Sequence, residues 1–291
     1  MAELEITTRV GCRNQCSYCP QDKFVDSYSK FSDLKEMSFE TFKKCVDKVP
    51  KKVTVIFSGF SEPFLNPECT KMIHYANKKR HTTVVHTTCM GMKISDIDLL
   101  KKIKFDRFCI HLPDDNNQTK IKIDENYFNI LNKLIESRMQ IVFLLNILPD
   151  GNKNMHPKLE KFLLENESKI TVIKSRINNR AGNVSDKIIP PIKKRRGRLF
   201  RCWRLKCNVL FPNGDVCLCA MDWSIKHRLG NLINSNYKSI YKNKEYARIL
   251  KGLKDNNSDI LCRYCEIYDT YYGKETLISY YSKKIKRILI R

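Results

Sequence analysis

The sequence predicts an α/β chain in which parallel strands are joined by helical crossovers and followed by a small C-terminal hairpin-plus-helix region. Three observations carry that reading. Short β-branched or apolar runs alternate with helical patterns six times before residue 182, and serial alternation of this kind implies parallel strands with right-handed crossovers. A basic stretch over 186–201 containing Pro190 and Pro191 then breaks the pattern and reads as a linker. Beyond it, Pro212-Asn213-Gly214 stands between apolar runs at 208–211 and 215–218, which is a hairpin signal. Six units in series suit either a doubly wound sheet or an incomplete barrel.

The elements follow in order. A first strand is read over 4–10 and a helix over 38–49, with Ser38 as its N-cap. A strand over 53–57 leads to a helix over 67–80 that places Met72, Ile73 and Ala76 on one face. Next come a strand at 82–87, a helix at 97–103, a strand at 108–112 and a helix at 127–138. A strand at 141–148, a helix at 158–165 and a sixth strand at 170–174 close the series, and one helix over 237–253 follows the hairpin.

The chain has 291 residues, 42% of them hydrophobic, enough for a core and for one large domain with or without an appendage. With 10 Gly and 10 Pro it is neither collagen-like nor low-complexity. No long uncharged apolar run occurs, and residues 1–10 carry two glutamates instead of a basic segment followed by an apolar one. A cytoplasmic location with no membrane span and no secretory signal is expected. The net charge of +23 suits nucleic acid or an anionic membrane. The lysines, however, are spread among asparagines along the whole chain, as biased codon usage also produces; nucleic acid is left open as a partner without being expected.

Thirteen cysteines are an odd number in a chain too large to need disulfide staples, which favours metal ligation. After the first strand comes Gly11-Cys12-Arg13-Asn14-Gln15-Cys16-Ser17-Tyr18-Cys19-Pro20, a C-x3-C-x2-C run on one loop. Three adjacent thiolates can wrap three corners of an iron–sulfur cube and leave the fourth iron open for chemistry. A zinc site or chance clustering are the plainer alternatives.

This spacing, with an aromatic before the last cysteine, resembles the radical S-adenosylmethionine (radical SAM) superfamily. The resemblance implies a partial (β/α)6 TIM-like barrel, which favours the barrel over the open sheet. It also implies a 4Fe-4S cluster on Cys12, Cys16 and Cys19 with SAM on the unique iron, and Tyr18 beside the adenine. An electron donor such as flavodoxin or ferredoxin is the implied partner. Such cofactors carry the hard step, a 5'-deoxyadenosyl radical abstracting hydrogen from substrate at the C-terminal ends of the strands.

Ser58-Gly59-Phe60-Ser61-Glu62-Pro63 ends the second strand where the family has its Gly-Gly-Glu motif, so Ser61 and Glu62 join the implied SAM set. Phe60 and Ser61 replace both glycines there, and a turn carboxylate capping the next helix is the alternative for Glu62. Thr87, Thr88 and Asn146 end other strands and can face SAM or substrate, or be buried, satisfied polar groups. Lys174-Ser175-Arg176-Ile177-Asn178-Asn179-Arg180-Ala181-Gly182 follows the sixth strand; in relatives with a similar Asn-Arg-Ala-Gly stretch this region approaches SAM or substrate. Ser175 and Arg176 are therefore assigned to SAM. Arg176 and Arg180 are also catalytic candidates, because a guanidinium pairs bidentately with carboxylate or phosphate, with a surface ion pair as the alternative. His111, ending strand four, is the candidate proton acceptor, weighed against a satisfied core histidine.

Cys202, Cys219, Cys262 and Cys265 form C-x11-G-x4-C followed by C-x2-C, with Gly214 as the glycine. The arrangement resembles the twitch domain, the shortened SPASM module that follows many radical SAM barrels, and implies a second, auxiliary 4Fe-4S cluster on those four. Cys207 and Cys217, read as facing each other across the hairpin, are alternatives in the ligand set, and zinc is the alternative metal. Cys45, Cys69, Cys89 and Cys109 lie in apolar segments and read as core.

The implied organisation is a barrel over 1–185, a linker over 186–201, a twitch/SPASM-like module over 202–270 and a basic amphipathic helix over 271–291. That last helix either packs on the barrel or lies on an anionic membrane. The leading function is a radical SAM oxidoreductase performing a two-electron oxidation of a sugar-like or nucleotide-sugar small molecule, with the auxiliary cluster as electron acceptor. Alternatives are a peptide-modifying maturase and, from another class, an RNA-binding or RNA-modifying protein with a C-terminal zinc site.

Overall fold

Alternation along the first strand, β1 (Glu3–Ile6), divides its side chains between two environments. Leu4 and Ile6 are fully buried in the main core, whereas Glu3 and Glu5 line a central cavity. The computed structural model describes residues 2–113, 119–147, 155–184, 193–199 and 202–267.

Five further parallel strands follow: β2 (Thr54–Phe57), β3 (Thr83–Thr87), β4 (Arg107–His111), β5 (Ile141–Ile147) and β6 (Thr171–Arg176). Helices α1 (Gln21–Ser29), α2 (Phe39–Val46), α3 (Cys69–Lys78), α4 (Ile94–Leu100), α5 (Glu125–Glu136) and α6 (Pro157–Glu165) lie between them. Each new strand adds beside its predecessor, giving the run β6-β5-β4-β3-β2-β1. A doubly wound sheet reverses direction at a switch point and a barrel does not, so the series is a partial barrel. Its outer core joins Leu4, Val55, Phe57, Phe108 and Phe143 of the strands to Phe42, Met72, Ile97 and Leu134 of the helices.

Ser38 caps α2 by accepting from Thr41 N, as expected. The first strand is shorter than its apolar pattern: Thr7 N makes a last bond to Leu210 O, and the Thr7 and Thr8 side chains then tie loops together, Thr7 Oγ1 accepting from Phe60 N and Thr8 Oγ1 donating to Pro63 O. Helix α1 was not anticipated, since its apolar face is only Phe24 and Tyr28.

The C-terminal segment does not stand apart. Strand β7 (Cys207–Leu210) pairs parallel with β1, from Glu3↔Cys207 to Ile6↔Leu210, and so continues the barrel sheet. The expected hairpin partner β8 (Asp215–Cys217) pairs antiparallel with β7, and a further strand, β9 (Arg228–Asn231), extends the sheet to nine. The helix read over 237–253 is broken in two, a 3-10 turn at Tyr237–Tyr241 and α7 (Lys244–Gly252). Asn243 makes the break: its side chain accepts from Tyr246 N to start α7 while donating to Ile240 O and Leu229 O. Most of the linker and the helix read over 271–291 lie outside the described residues. Among the described residues no helix is long and apolar enough to cross a membrane.

Candidate active site

The loop leaving β1 carries Cys12, Cys16 and Cys19 onto one wall of the central cavity, whose volume is about 450 Å³. Left-handed backbone at Gly11 (φ 86°) and Gln15 (φ 46°) folds the loop, and Cys19 N donates to Cys16 O at 3.0 Å. α1 then anchors it, because Phe24 packs edge-on against Phe60 at 4.9 Å and Phe60 lies 4.5 Å from Trp223. Burial raises the Cys12 thiol to about 11. Cys16 is raised, chiefly by its hydrogen bond to Cys19, while Cys19 is lowered by that same bond and by the nearby Arg180 guanidinium. Thiolate is the form that ligates metal, and the Arg180 guanidinium beside Cys19 favours it there.

At the end of β2, Gly59 has φ 63° and a Cβ there would lie 2.2 Å from Thr7 Oγ1, so only glycine fits. Glu62, 3% exposed, is held on all sides. Thr87 Oγ1 and Phe64 N donate to its Oε1, while Thr88 N (2.7 Å) and Thr88 Oγ1 (2.8 Å) donate to Oε2. Four donors occupy the roughly four lone-pair positions of a carboxylate. Thr88 Oγ1 in turn accepts from Asn14 Nδ2 at 2.9 Å, so Glu62 ties two strand ends to the cysteine loop. It also caps the short 3-10 turn Pro63–Leu65. The Ser61 hydroxyl, by contrast, is buried without a partner on the same wall.

Across the cavity, Tyr18 Oη accepts from Asn146 Nδ2 at 3.0 Å. His111 Nε2 lies 3.1 Å from Nδ1 of His86, a residue the sequence reading passed over although it alternates with the buried Val85 and Thr87. Burial lowers both imidazoles, His86 to about 4 with help from Arg107 and His111 to about 3 with help from His86 and Arg180. Arg180 sits on a strained loop in which Arg180 (φ 51°) and Ala181 (φ 56°) are left-handed non-glycine residues, a cost of about 1–3 kcal/mol each. The C-terminal module clamps this loop: Asn183 Nδ2 donates to Arg180 O and Met221 O, and Asn179 N donates to Glu266 Oε2 at 2.8 Å. Ser175 and Arg176 close β6, paired with Asn146 and Ile147, and their side chains lie outside the described residues.

A second, smaller pocket gathers Cys202, Cys219, Cys262 and Cys265 with Leu205, Leu218 and Leu261. Cys207 and Cys217 are not in it. Val209, not Cys207, is the partner of Cys217 across the hairpin, and the Cys217 thiol donates to Cys219 O. Burial raises the thiols of Cys202, Cys219 and Cys262. Arg263, fully buried between two of these cysteines, donates to the carbonyls of Gly252, Leu253, Arg195 and Gly197. The other four cysteines, Cys45, Cys69, Cys89 and Cys109, are buried in the core as expected.

Both sites fit the groups the sequence implies. Three thiols from one loop suit a cube with an open corner. Asn14 Oδ1, Gln21 Oε1, Ser61 Oγ and Arg180 Nε, all on the central cavity and all buried without partners, suit a polar ligand beside it. Four thiols around one apolar pocket suit a closed cube. Among the described residues no three His, Cys, Asp or Glu side chains close on the point a single ion requires. A cube is wider than one ion and takes thiolates at its corners, so the match rests on donor type and shared pocket.

Comparison with known proteins agrees with this geometry. The radical SAM superfamily model matches residues 6–163, and the model of an iron–sulfur cluster-binding domain, SPASM, matches residues 202–266. The C-terminal cysteines thus fall in an iron–sulfur module, and the zinc reading is set aside. BtrN in complex with AdoMet and 2-DOIA is 15% identical with a TM-score of 0.58, over 91% of this chain and 93% of that one. anSMEcpe with bound AdoMet is 14% identical with a TM-score of 0.59, over 87% of this chain and 84% of that one. The anSMEcpe complex with AdoMet and the Cp18Cys peptide is 13% identical with a TM-score of 0.59, over 91% and 86%. These are likenesses of fold. No curated protein matches the sequence.

Proposed function

The chain belongs to the radical SAM superfamily, and from that premise we propose that it oxidises a hydroxylated, sugar-like small molecule by two electrons. Its cofactors are a SAM-binding 4Fe-4S cluster, SAM and iron–sulfur in the C-terminal module. When bound, they supply one-electron reduction of the sulfonium, a hydrogen-abstracting radical and an electron acceptor.

The chain's own residues do the rest. Cys12, Cys16 and Cys19 hold the first cluster, and Cys202, Cys219, Cys262 and Cys265 the second. Tyr18, fixed by Asn146, is the ring beside the adenine. Ser61 and Asn14 offer unpartnered polar atoms to SAM, while Glu62 and Thr87 set the wall that presents them. Ser175 and Arg176 are assigned to the same ligand from the end of β6. Arg180 bonds an anionic or hydroxyl group through the guanidinium edge left open at Nε. His111, backed by His86, accepts the hydrogen bond of the substrate hydroxyl and, as a ring that burial keeps neutral, relays its proton onward as the hydroxyl becomes a carbonyl; with His111 Nε2–H donating to His86, its Nδ1 is the accepting atom. Surrounding side chains exclude water from the radical.

The observation that carries this reading is the shared wall: Arg204 and Met221 line both the central cavity and the four-cysteine pocket. The first cluster and SAM share this cavity, and the charged side chains that remain on its wall, among them Glu5, Arg107, Arg180 and Arg204, suit a small polar substrate. A peptide substrate is the second reading, motivated by the fold shared with anSMEcpe, which holds the Cp18Cys peptide. The test is anaerobic incubation of reconstituted protein with SAM, reductant and panels of candidate sugars and peptides. Substrate-dependent 5'-deoxyadenosine with stoichiometric carbonyl formation supports the proposal. Turnover of peptides alone rejects the sugar substrate, and undiminished oxidation by Cys219→Ala rejects the acceptor role.

A further inference from the structure

Arg204 and Met221 are the partition between the cavity and the four-cysteine pocket, and each stands two places along the chain from one of its cysteines, Cys202 and Cys219. One is charged. The Arg204 guanidinium lies 4.6 Å over the Trp203 ring, and its Nε is buried with no hydrogen-bond partner. Among the described residues no carboxylate comes within ion-pair distance of it. Burial works against its charge, while Glu5 on one side and the sulfurs of Cys219, Cys207 and Cys202 on the other favour it. Glu5 is buried, accepts from Ser58 Oγ at 2.8 Å, and lines the cavity but not the cysteine pocket. Burial raises the Glu5 carboxyl and the Arg204 charge opposes that rise, so the two are electrostatically linked, with the cation in the partition.

Resting on the reading that Cys202, Cys219, Cys262 and Cys265 hold a cluster, we propose that Arg204 sets the reduction potential of that auxiliary centre, raising it so that it accepts an electron from the substrate side, while Glu5 opposes it. The centre gains one electron and one unit of negative charge, and no bond is made or broken in that step. A fixed positive charge in the pocket wall favours the reduced form, and the apolar surroundings leave the attraction weakly screened. A guanidinium keeps its charge at any accessible pH.

The test is a redox titration of the holoenzyme, reconstituted with iron and sulfide and followed by electron paramagnetic resonance. The SAM-responsive centre serves as internal reference. Arg204→Met keeps bulk and removes charge; it shifts the auxiliary midpoint downward by about tenfold in the reduction equilibrium, about 59 mV for one electron. Arg204→Lys keeps charge and loses the ring stacking; it recovers most of the shift. Glu5→Gln moves the midpoint upward. The reference centre stays in place throughout. Equal shifts in the Met and Lys variants mean that Arg204 acts by packing alone, and they overturn the proposal. An unmoved midpoint in both Arg204→Met and Glu5→Gln does the same. A wild-type chain that holds about four irons in one centre instead of about eight overturns the cluster assignment itself, a failure that the iron count alone identifies.

Discussion

His86 Nδ1 and His111 Nε2 approach to 3.1 Å across neighbouring strands, inside a cavity that also holds Arg107 and Arg180. A contact between two ring nitrogens needs one proton, so the pair is stable when both rings are neutral. In the folded chain His86 protonates only near pH 4 and His111 near pH 3, first because they are buried and then because of their cationic neighbours. An unfolded histidine protonates near pH 6.5. Acid therefore favours the unfolded chain: stability is complete above about pH 6.5 and falls as the pH drops toward 4. Between pH 7 and pH 5 the loss is about 2–4 kcal/mol for the pair. Urea titrations of apoprotein at both pH values measure it, and the double variant His86→Asn/His111→Asn has a flatter dependence. An unchanged slope means that neither ring is held neutral.

Glu62→Gln replaces an acceptor of four hydrogen bonds with an amide whose NH2 meets donors from Thr87 or Thr88. A buried donor facing a donor costs about 2 kcal/mol. Because Thr88 also holds Asn14, the cysteine loop loosens as well. The variant is expected to lower the urea midpoint and to weaken the spectral response of the first cluster to SAM at unchanged iron content. A wild-type SAM response limits Glu62 to stability alone.

Cys219→Ala removes one of four thiols from the small pocket. The expected product holds about four irons instead of about eight and still cleaves SAM. Cys217→Ala, two places away but outside the pocket, keeps the full complement. Iron analysis and 5'-deoxyadenosine release check both, and equal iron loss in the two variants contradicts the ligand set.

Arg263 meets carbonyls only, among them Gly252 O at the end of α7, where a cation also complements the helix dipole. Lysine lacks the planar fork that reaches Gly252, Arg195 and Gly197 together. Arg263→Lys is expected to cost about 3 kcal/mol. Thermal unfolding followed by iron release shows the C-terminal centre failing first. Simultaneous loss of both centres means that the cost is spread over the whole chain.

The partial barrel was legible in the sequence because β-branched runs and helical patterns alternate without interruption, as at 53–57 and 67–80. The grouping of Cys202, Cys219, Cys262 and Cys265 around one pocket follows the glycine spacing that singled out Cys219, whereas the expected facing of Cys207 and Cys217 across the hairpin did not hold, because Val209 is the partner of Cys217. Three features were not legible. His86 sits among buried strand neighbours, and only the fold brings it to His111. Arg204 is one basic residue in a chain with 54 of them, and only the shared wall distinguishes it. The saturation of Glu62 depends on Thr87 and Thr88, about 25 residues away, through geometry that no spacing encodes.

The pairing of β7 with β1 has a cost for synthesis as well as a structural role. Until the last third of the polypeptide leaves the ribosome, Glu3–Ile6 offers an unclaimed row of amides and carbonyls to any passing strand. A shortened gene product ending before Cys207 would keep that flank bare permanently and is expected to self-associate instead of surviving as a free-standing barrel. The accessory module is thus a seam of the scaffold, joined to the barrel along the whole length of its first strand.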